Sequence, residues 1–166
     1  MGSSLRRWAV LLAVVPAFAL ASCGVSGEVA EPSPSATELS LGPLGAPDCQ
    51  PASPSLGQEA QGTGSGDVTA YGLLFVSDAA SIPGDGSTNK MVVRMTGDGE
   101  MLAHLVAPDG SERPLVWGPE QHGGSTFRRP GDEWGIGFAF DAPGCWQVAL
   151  ERANGDRADF WFDVKE

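Results

Sequence analysis

The residues best suited to binding a ligand are concentrated in the segment 117–135. In a chain of 166 residues with a formal net charge of −11, this segment combines two tryptophans and a histidine with a pair of adjacent arginines. Loops on a rigid scaffold commonly hold binding sites, and Trp and Arg are enriched among the side chains that contribute most to binding. We therefore predict a long binding loop whose contact residues are Trp117, His122, Arg128, Arg129 and Trp134.

Two roles are available to these side chains. Trp117 and Trp134 can stack on a sugar or a peptide, while one of the two arginines binds a carboxylate of that ligand. The alternative is a packing role, in which both indoles cap the end of the domain and the arginines neutralise the neighbouring Asp132 and Glu133. Both roles stay open at the level of sequence.

A metal site is the second chemical possibility. Thioether sulfur and imidazole are ligands that Cu(I) prefers, and two adjacent predicted strands contain such groups in Met91, Met95, Met101 and His104. Extracytoplasmic copper binding or delivery is therefore our alternative function, with Met95, Met101 and His104 as ligands. Against it, Met91 and Met95 share the inward face with Val93, where Met is a flexible core filler. The strand pleat also separates Met101 from His104.

Catalysis is not expected from this sequence. A nucleophile and a base could come only from His122 with Ser125 or from His104 with Ser111, and neither pair has a nucleophile elbow or a positioned acid. We therefore expect a protein that is not an enzyme and has no resident cofactor. The 21 acidic and 10 basic residues argue against nucleic acid as a partner, because binding the phosphate backbone requires a basic surface.

The start of the chain predicts an export signal. A short basic segment precedes an apolar stretch over 8–21, and small residues follow. The run Leu-Ala-Ser-Cys at 20–23 resembles the lipobox of bacterial lipoproteins. That resemblance implies a signal peptide over 1–22 and a lipid-modified Cys23, which anchors the protein at the extracytoplasmic face of the cell membrane. The alternative is a secreted protein that is cleaved near Ala21 and keeps a free Cys23.

The cysteines that remain after lipidation form an even pair. Outside the cytoplasm an even number of cysteines favours disulfides, so we predict a bond between Cys49 and Cys145. In the chain-entropy model, a loop of this length contributes about 4 kcal/mol of stability. Two buried thiols are the alternative.

Composition divides the exported chain near residue 66. Between 24 and 66 there are six prolines, no aromatic residue and a closing run of Gly, Ser and Thr, so this segment cannot bury enough apolar surface to fold. We predict a flexible stalk over 23–66 that begins with the lipidated cysteine, and one folded domain over 67–166. A disulfide at Cys49 would attach the middle of the stalk to that domain.

The domain is predicted to be all-β. Apolar residues alternate with polar ones over 90–96 and 160–164, and no window has useful helical periodicity. Turn-forming Gly, Asp and Asn residues occur at 97–99, 108–110 and 154–156, where tight hairpins would need them. Seven strands are expected, near 68–76, 90–96, 100–107, 113–117, 135–140, 145–152 and 158–165.

One segment resembles a known fold family. The run Asp-Ala-Pro-Gly-Cys-Trp-Gln-Val at 141–148, followed by a hairpin into the last strand, resembles the penultimate strand of bacterial immunoglobulin-like sandwiches. Its Gly-Cys-Trp motif, in an exported chain, also resembles a group of uncharacterised bacterial exported lipoproteins. These resemblances imply an antiparallel β-sandwich of about seven strands with Trp146 in its core, and they imply no substrate.

Together these predictions describe a membrane-anchored bacterial lipoprotein that displays a non-catalytic ligand- or protein-binding domain outside the cytoplasm. Its expected partners are the membrane, through the lipid at Cys23, and an unidentified extracytoplasmic protein or small ligand. On this interpretation, Trp134→Ala weakens binding more than Arg152→Ala does, whereas Trp146→Ala destabilises the fold.

Overall fold

The computed structural model describes residues 43–44, 48–49 and 52–166. Every regular element in this part of the chain is a β-strand, which confirms the prediction of an all-β domain. A search of the same residues finds no helix long and apolar enough to cross a membrane. The predicted signal peptide over 1–22, the lipidation at Cys23 and the stalk up to residue 42 lie outside the described residues.

Ten strands are present in the described residues. They are β1 (Ser55–Leu56), β2 (Glu59–Gly64), β3 (Ala70–Leu74), β4 (Thr88–Met95), β5 (Met101–Val106), β6 (Glu112–Arg113), β7 (Trp117–His122), β8 (Asp132–Ala139), β9 (Gly144–Arg152) and β10 (Arg157–Val164). These strands pair antiparallel in one curled sheet with the order β6-β5-β9-β10-β2-β3-β4-β8-β7, and β1 pairs with β2 outside this path.

Strand β2 makes the sheet continuous. It pairs with β3 over 59–62, and it pairs with β10 at Thr63 and Gly64. The two groups of strands that a sandwich would keep apart are therefore joined, and the sheet curls into a half-barrel. The all-β prediction holds, but the immunoglobulin-like sandwich is not confirmed by this arrangement.

Strands β1 and β2 lie inside the segment 23–66 that we predicted to be a stalk, so the folded domain begins before residue 67. The glycines and polar residues of β2 are ordinarily depleted in strands. In the fold, the small residues of β2 allow neighbouring side chains to pack closely. Ala60 is buried, and a Cβ at Gly62 would lie 3.2 Å from the ring of Phe160. Tertiary packing, and not local propensity, places this strand in the sheet.

The inner face of the curled sheet holds the hydrophobic core. The strand pleat directs alternate residues to this face, and in β4 these include Met91, Val93 and Met95, all fully buried. Trp146 of β9 is also fully buried, with its ring centroid 5.1 Å from that of Phe140. Its indole Nε1 donates a hydrogen bond to the Ala142 carbonyl at 2.9 Å. Trp146 is therefore a core residue, as predicted.

Two of the three predicted tight turns close hairpins. The turn at 108–110 joins β5 to β6, and the turn at 154–156 joins β9 to β10. The turn at 97–99 does not, because β4 lies between β3 and β8 while β5 lies between β6 and β9. At that point the chain crosses from one part of the curled sheet to the other.

The described residues before β1 cross the outer face of β9 and β10, and we call residues 43–44, 48–49 and 52–54 the N-terminal strap. The predicted disulfide between Cys49 and Cys145 is present, with the Cα atoms 5.5 Å apart. The Leu44 amide donates to Asp159 Oδ2 at 2.5 Å, and Trp161 Nε1 donates to the Leu44 carbonyl at 2.7 Å. The strap is thus held by one covalent bond and by hydrogen bonds.

The strap covers Asp159 completely. This burial raises the pKa of the Asp159 carboxyl, and hydrogen bonds from Leu44 and Gln147 together with the charge of Arg157 partly oppose the effect. Its Oδ1 accepts no hydrogen bond from the described residues. The covalent attachment therefore holds the strap over a group that favours its neutral form.

Candidate functional site

The outer face of β4, β8 and β7 brings together residues that are far apart in the sequence. Antiparallel partners point to the same face of a sheet, so Lys90 of β4, Gly137 of β8 and Trp117 of β7 form one cross-strand row. Phe75 continues the row just beyond β3, where its N–H donates to the Lys90 carbonyl at 2.9 Å. We call Phe75, Lys90, Gly137 and Trp117 the aromatic row.

Trp117 lies along two glycines of β8. A Cβ at Gly137 would sit 2.0 Å from the indole Nε1, and a Cβ at Gly135 would sit 3.1 Å from Cζ3. The indole therefore occupies the space that side chains at both positions would need. The register of β7 shifts between Trp117 and Glu120, at Gly118 with a φ of +82°. This irregularity lets the indole turn over the neighbouring strand.

Lys90 is the cation of the row. Its Nζ lies 4.9 Å from the centroid of the Phe75 ring and 5.9 Å from the centroid of the Trp117 ring. No ion pair joins Lys90 to a carboxylate in the described part of the chain. Five other described cations do pair with carboxylates, namely Arg94, Arg113, Arg129, Arg152 and Lys165. Lys90 is thus a cation with aromatic neighbours and unused hydrogen-bond donors.

A buried carboxylate lies close to the aromatic row. Glu133 of β8 is 2% exposed, and its Oε2 lies 3.1 Å from Nη2 of Arg94 on β4. Its Oε1 lies 2.8 Å from Nδ1 of His122 on β7, without the alignment of a hydrogen bond. The other ring nitrogen of His122, Nε2, faces Gly135 beside the indole of Trp117. His122 therefore lies between Glu133 and the indole, at the edge of the row.

The same carboxylate holds the loop over 123–131. The Ser125 hydroxyl donates to Glu133 Oε2 and accepts a hydrogen bond from the Phe127 amide at 3.1 Å. In a catalytic triad the serine hydroxyl would bond to the imidazole, whereas here it bonds to the acid. The geometry of His122, Ser125 and Glu133 therefore suits the positioning of a loop and does not activate a nucleophile.

The remaining residues of the predicted binding loop do not lie together in the structure. Trp134 is 5% exposed and belongs to the core, where its ring lies 5.3 Å from the Arg152 guanidinium. Arg129 pairs with Glu59 of β2 at 2.5 Å. Arg128 is exposed and has no ion pair with another described residue. Only Trp117 and His122, of the predicted set, meet on the outer face of β7 and β8.

The alternative packing role assigned the wrong partners to the arginines. We expected Arg128 and Arg129 to neutralise Asp132 and Glu133. Instead, Asp132 pairs with the buried Arg152 at 2.6 Å, and Glu133 pairs with Arg94. Both partners are far away in the sequence and reach the acids through the curl and the register of the sheet, which the local sequence does not encode.

The predicted copper ligands do not converge. Met95 and Met101 are buried on the inner face, whereas His104 lies on the outer face of β5 with Nδ1 2.8 Å from Glu112 Oε1. Met101 and His104 thus occupy opposite faces of one strand. Among the described residues, no group of three or more His, Cys, Asp and Glu side chains could hold a metal ion. The geometry removes the ligand set on which the copper alternative depended.

Two depressions on the surface of the described residues lie away from the aromatic row. A shallow depression of about 550 Å³ lies elsewhere, between Asp67, Thr96 and Asp156. A smaller one of about 200 Å³ lies beside Trp161 and the strap. Neither is lined by the row. A ligand of the row would therefore bind on the face of the sheet.

Comparisons with models of known families, with curated proteins and with solved structures find no match to this chain. The aromatic row and the buried Glu133 beside it are the surface features described above that bring together residues from several strands.

Proposed function

We propose that this protein is a membrane-anchored bacterial lipoprotein that displays a non-catalytic binding domain outside the cytoplasm. The basic, apolar and small residues that precede Cys23 support an anchor at that cysteine. The disulfide between Cys49 and Cys145 supports an oxidising compartment. The partner in this proposal is an extracytoplasmic protein or small ligand.

The observation that carries the binding role is the exposure of aromatic side chains on a rigid sheet. Phe75 is 59% exposed, and Trp117 keeps part of its indole accessible although the glycines beneath it hold the ring in place. Exposed apolar groups that lie together on a surface mark interaction sites more often than scattered ones do. Trp side chains in particular often contribute a large share of the free energy of binding at an interface.

The row is also preorganised for binding. Its members lie on or next to paired strands, and the backbone of His122 is paired with that of Glu133 across β7 and β8. A surface that is already ordered loses little conformational entropy when a ligand binds. This supports a site on β7, β8 and β4, in place of the long loop over 117–135 that the sequence predicted.

The binding role is tested by chemical cross-linking in cells of the producing bacterium. Wild-type protein is compared with Trp117→Ala and with Leu102→Ala, which removes a 59% exposed apolar side chain from β5. We expect cross-linked species that Trp117→Ala loses and Leu102→Ala retains. Identical patterns from all three proteins would contradict binding of a protein partner at the aromatic row.

The anchor is tested separately by metabolic labelling with an alkyne-tagged fatty acid. Wild-type protein is expected to incorporate the label and to sediment with membranes. Cys23→Ser should lose both properties, because it removes the acceptor thiol. A wild-type protein without label would overturn the lipoprotein proposal and leave the cross-linking result unaffected.

A further inference from the structure

Resting on the proposed function, we propose that the aromatic row binds an acidic glycan, with one sugar ring on Trp117 and its carboxylate on Lys90. The two residues belong to one cross-strand row and are separated by the single strand β8. The Lys90 Nζ lies 5.9 Å from the centroid of the indole, a separation comparable to the width of one pyranose ring.

The shape of the row favours a sugar ring. The faces of a pyranose carry C–H groups and its rim carries hydroxyls, so it can stack on an indole while its hydroxyls stay hydrated. Because Gly135 and Gly137 have no side chains, the indole of Trp117 rests directly against the sheet, with His122 Nε2 and the Lys90 ammonium as its neighbours. The accessible face of an indole suits the C–H face of such a sugar ring.

The edge of the sheet disfavours an extended peptide as the ligand. A peptide that adds to a sheet needs a regular ladder of free backbone groups along the edge strand. The edge strand here is β7, which contains Pro119 and a register shift between Trp117 and Glu120. Pro119 has no N–H to donate, and the shift interrupts the ladder.

The charge of the row favours an anion. Lys90 lies between two aromatic rings and has no ion pair among the described residues, in a chain with a net charge of −11. Its ammonium donors are therefore available to a ligand. A carboxylate bound there would form charge-assisted hydrogen bonds, which are stronger than neutral ones.

One exposed acid near the row sets the orientation of the ligand, because the other nearby acid, Glu133, is buried and paired with Arg94. Glu120 is exposed and pairs in register with Gly135, so it lies on β7, two strands away from Lys90. A glycan carboxylate is repelled by Glu120 and attracted by Lys90. The carboxylate is therefore placed at the Lys90 end of the row, and His122 faces the sugar hydroxyls at the other end.

The test is a titration of the full-length lipoprotein, in detergent, with oligogalacturonate and with the same oligomer fully methyl-esterified. We expect the acid to bind about tenfold more tightly than the ester. Lys90→Gln should weaken binding of the acid by about the same factor and leave the ester unchanged. Lys165→Gln, which removes a cation already paired with Asp163, serves as the matched control and should change neither.

The role of Trp117 is tested with Trp117→Leu, which keeps an apolar cover over the glycines and removes the stacking surface. We expect this variant to lose binding of both oligomers. Equal affinity for acid and ester, or unchanged binding by Trp117→Leu, would overturn the proposal. If neither oligomer binds the wild type, the acidic glycan is wrong, whereas loss of cross-linking in Trp117→Ala would still support the proposed function.

Discussion

Trp117 and Gly137 are direct partners across β7 and β8, and the indole of the first fills the side-chain position of the second. This arrangement depends on the absence of a Cβ at residue 137, because that atom would lie 2.0 Å from the indole Nε1. The aromatic row can therefore be disturbed by a change that does not touch Trp117 itself.

Gly137→Ala is expected to displace the indole and to lower the free energy of unfolding by about 1–3 kcal/mol through overpacking. Near-ultraviolet circular dichroism reports the displaced ring, and urea unfolding reports the stability. Gly123→Ala is the control, because a Cβ there would meet nothing within 4 Å. Equal effects of the two substitutions would contradict the close packing of Trp117 on β8.

Trp146→Ala is expected to lower the free energy of unfolding by about 3–5 kcal/mol, because it leaves a large cavity in the core. Trp146 is fully buried, whereas Trp117 is only partly buried. Trp117→Ala should therefore lower the free energy of unfolding by less than half as much as Trp146→Ala does. Urea unfolding of both variants measures the difference. A near-neutral Trp146→Ala would contradict the observed core.

Glu133→Gln is expected to loosen the loop over 123–131, because the carboxylate bonds to Ser125 and pairs with Arg94. Because the mostly buried Arg94 loses its charged partner, the free energy of unfolding should fall by about 2 kcal/mol. Amide hydrogen exchange measures the loop directly. Glu120→Gln, an exposed change on the adjacent strand, should leave exchange in the loop at the wild-type rate; faster exchange there would argue against the specific role of Glu133.

Asp159 predicts a pH dependence of stability with a defined sign. Burial raises its pKa above the ordinary value of 3.8, so the folded state favours the protonated acid. Its contribution to stability is therefore fully present below pH 3.8 and is lost as the pH rises through the raised pKa. Asp159→Asn cannot ionise, so the difference between its free energy of unfolding and that of the wild type should grow in favour of the variant as the pH rises above 3.8. Asp163→Asn, an exposed change on the same strand, should follow the wild type in the same urea titrations.

Loss of the disulfide is expected to be costly. The bond closes a loop with a sequence separation of 96, so Cys49→Ser with Cys145→Ser should lower the free energy of unfolding by about 4 kcal/mol. Intact-mass spectrometry of the wild type before and after reduction should differ by about 2 Da for the bond. A wild type whose mass does not change on reduction would contradict the bond.

The strand pattern of the domain was largely predictable because inward and outward residues alternate clearly in the longer strands. The alternation of Met91, Val93 and Met95 located β4, and the turn at 154–156 located the hairpin of β9 and β10. The pairing of strands was not predictable, because nothing in the local sequence shows that β2 joins β3 to β10. Strand β7 was interpreted as part of a loop because Gly118 and Pro119 interrupt it.

Arg152 illustrates a second limit of prediction from the sequence, which is the burial of a charged side chain. We expected Trp134→Ala to weaken binding more than Arg152→Ala does, and charged side chains are mostly exposed in folded proteins. Arg152 is 1% exposed, pairs with Asp132 and lies over the Trp134 ring. Arg152→Ala and Trp134→Ala are therefore both changes to buried, contacting residues, and their comparison cannot separate binding from folding.

The candidate site was predictable in part. The residue types in 117–135 pointed to Trp117 and His122, which do share the outer face of two adjacent strands. Lys90 and Phe75 were missed because they come from β4 and from just beyond β3, and they join the row through strand register alone. The alternation in β4 does predict that the Lys90 side chain points outward. Which residues lie beside it depends on the order of the strands in the sheet, which the local sequence does not show.

The attachment of the strap also determines how the domain bears mechanical load. A pull on the chain before Cys49 enters the sheet at Cys145 of β9, and it bypasses the two-residue strand β1. Strand β9 is flanked by β10 and β5, with eight and six paired residues respectively, so such a force is resisted by hydrogen bonds on both sides. Tension that would otherwise peel β1 and β2 from the sheet one pair at a time is carried by an interior strand.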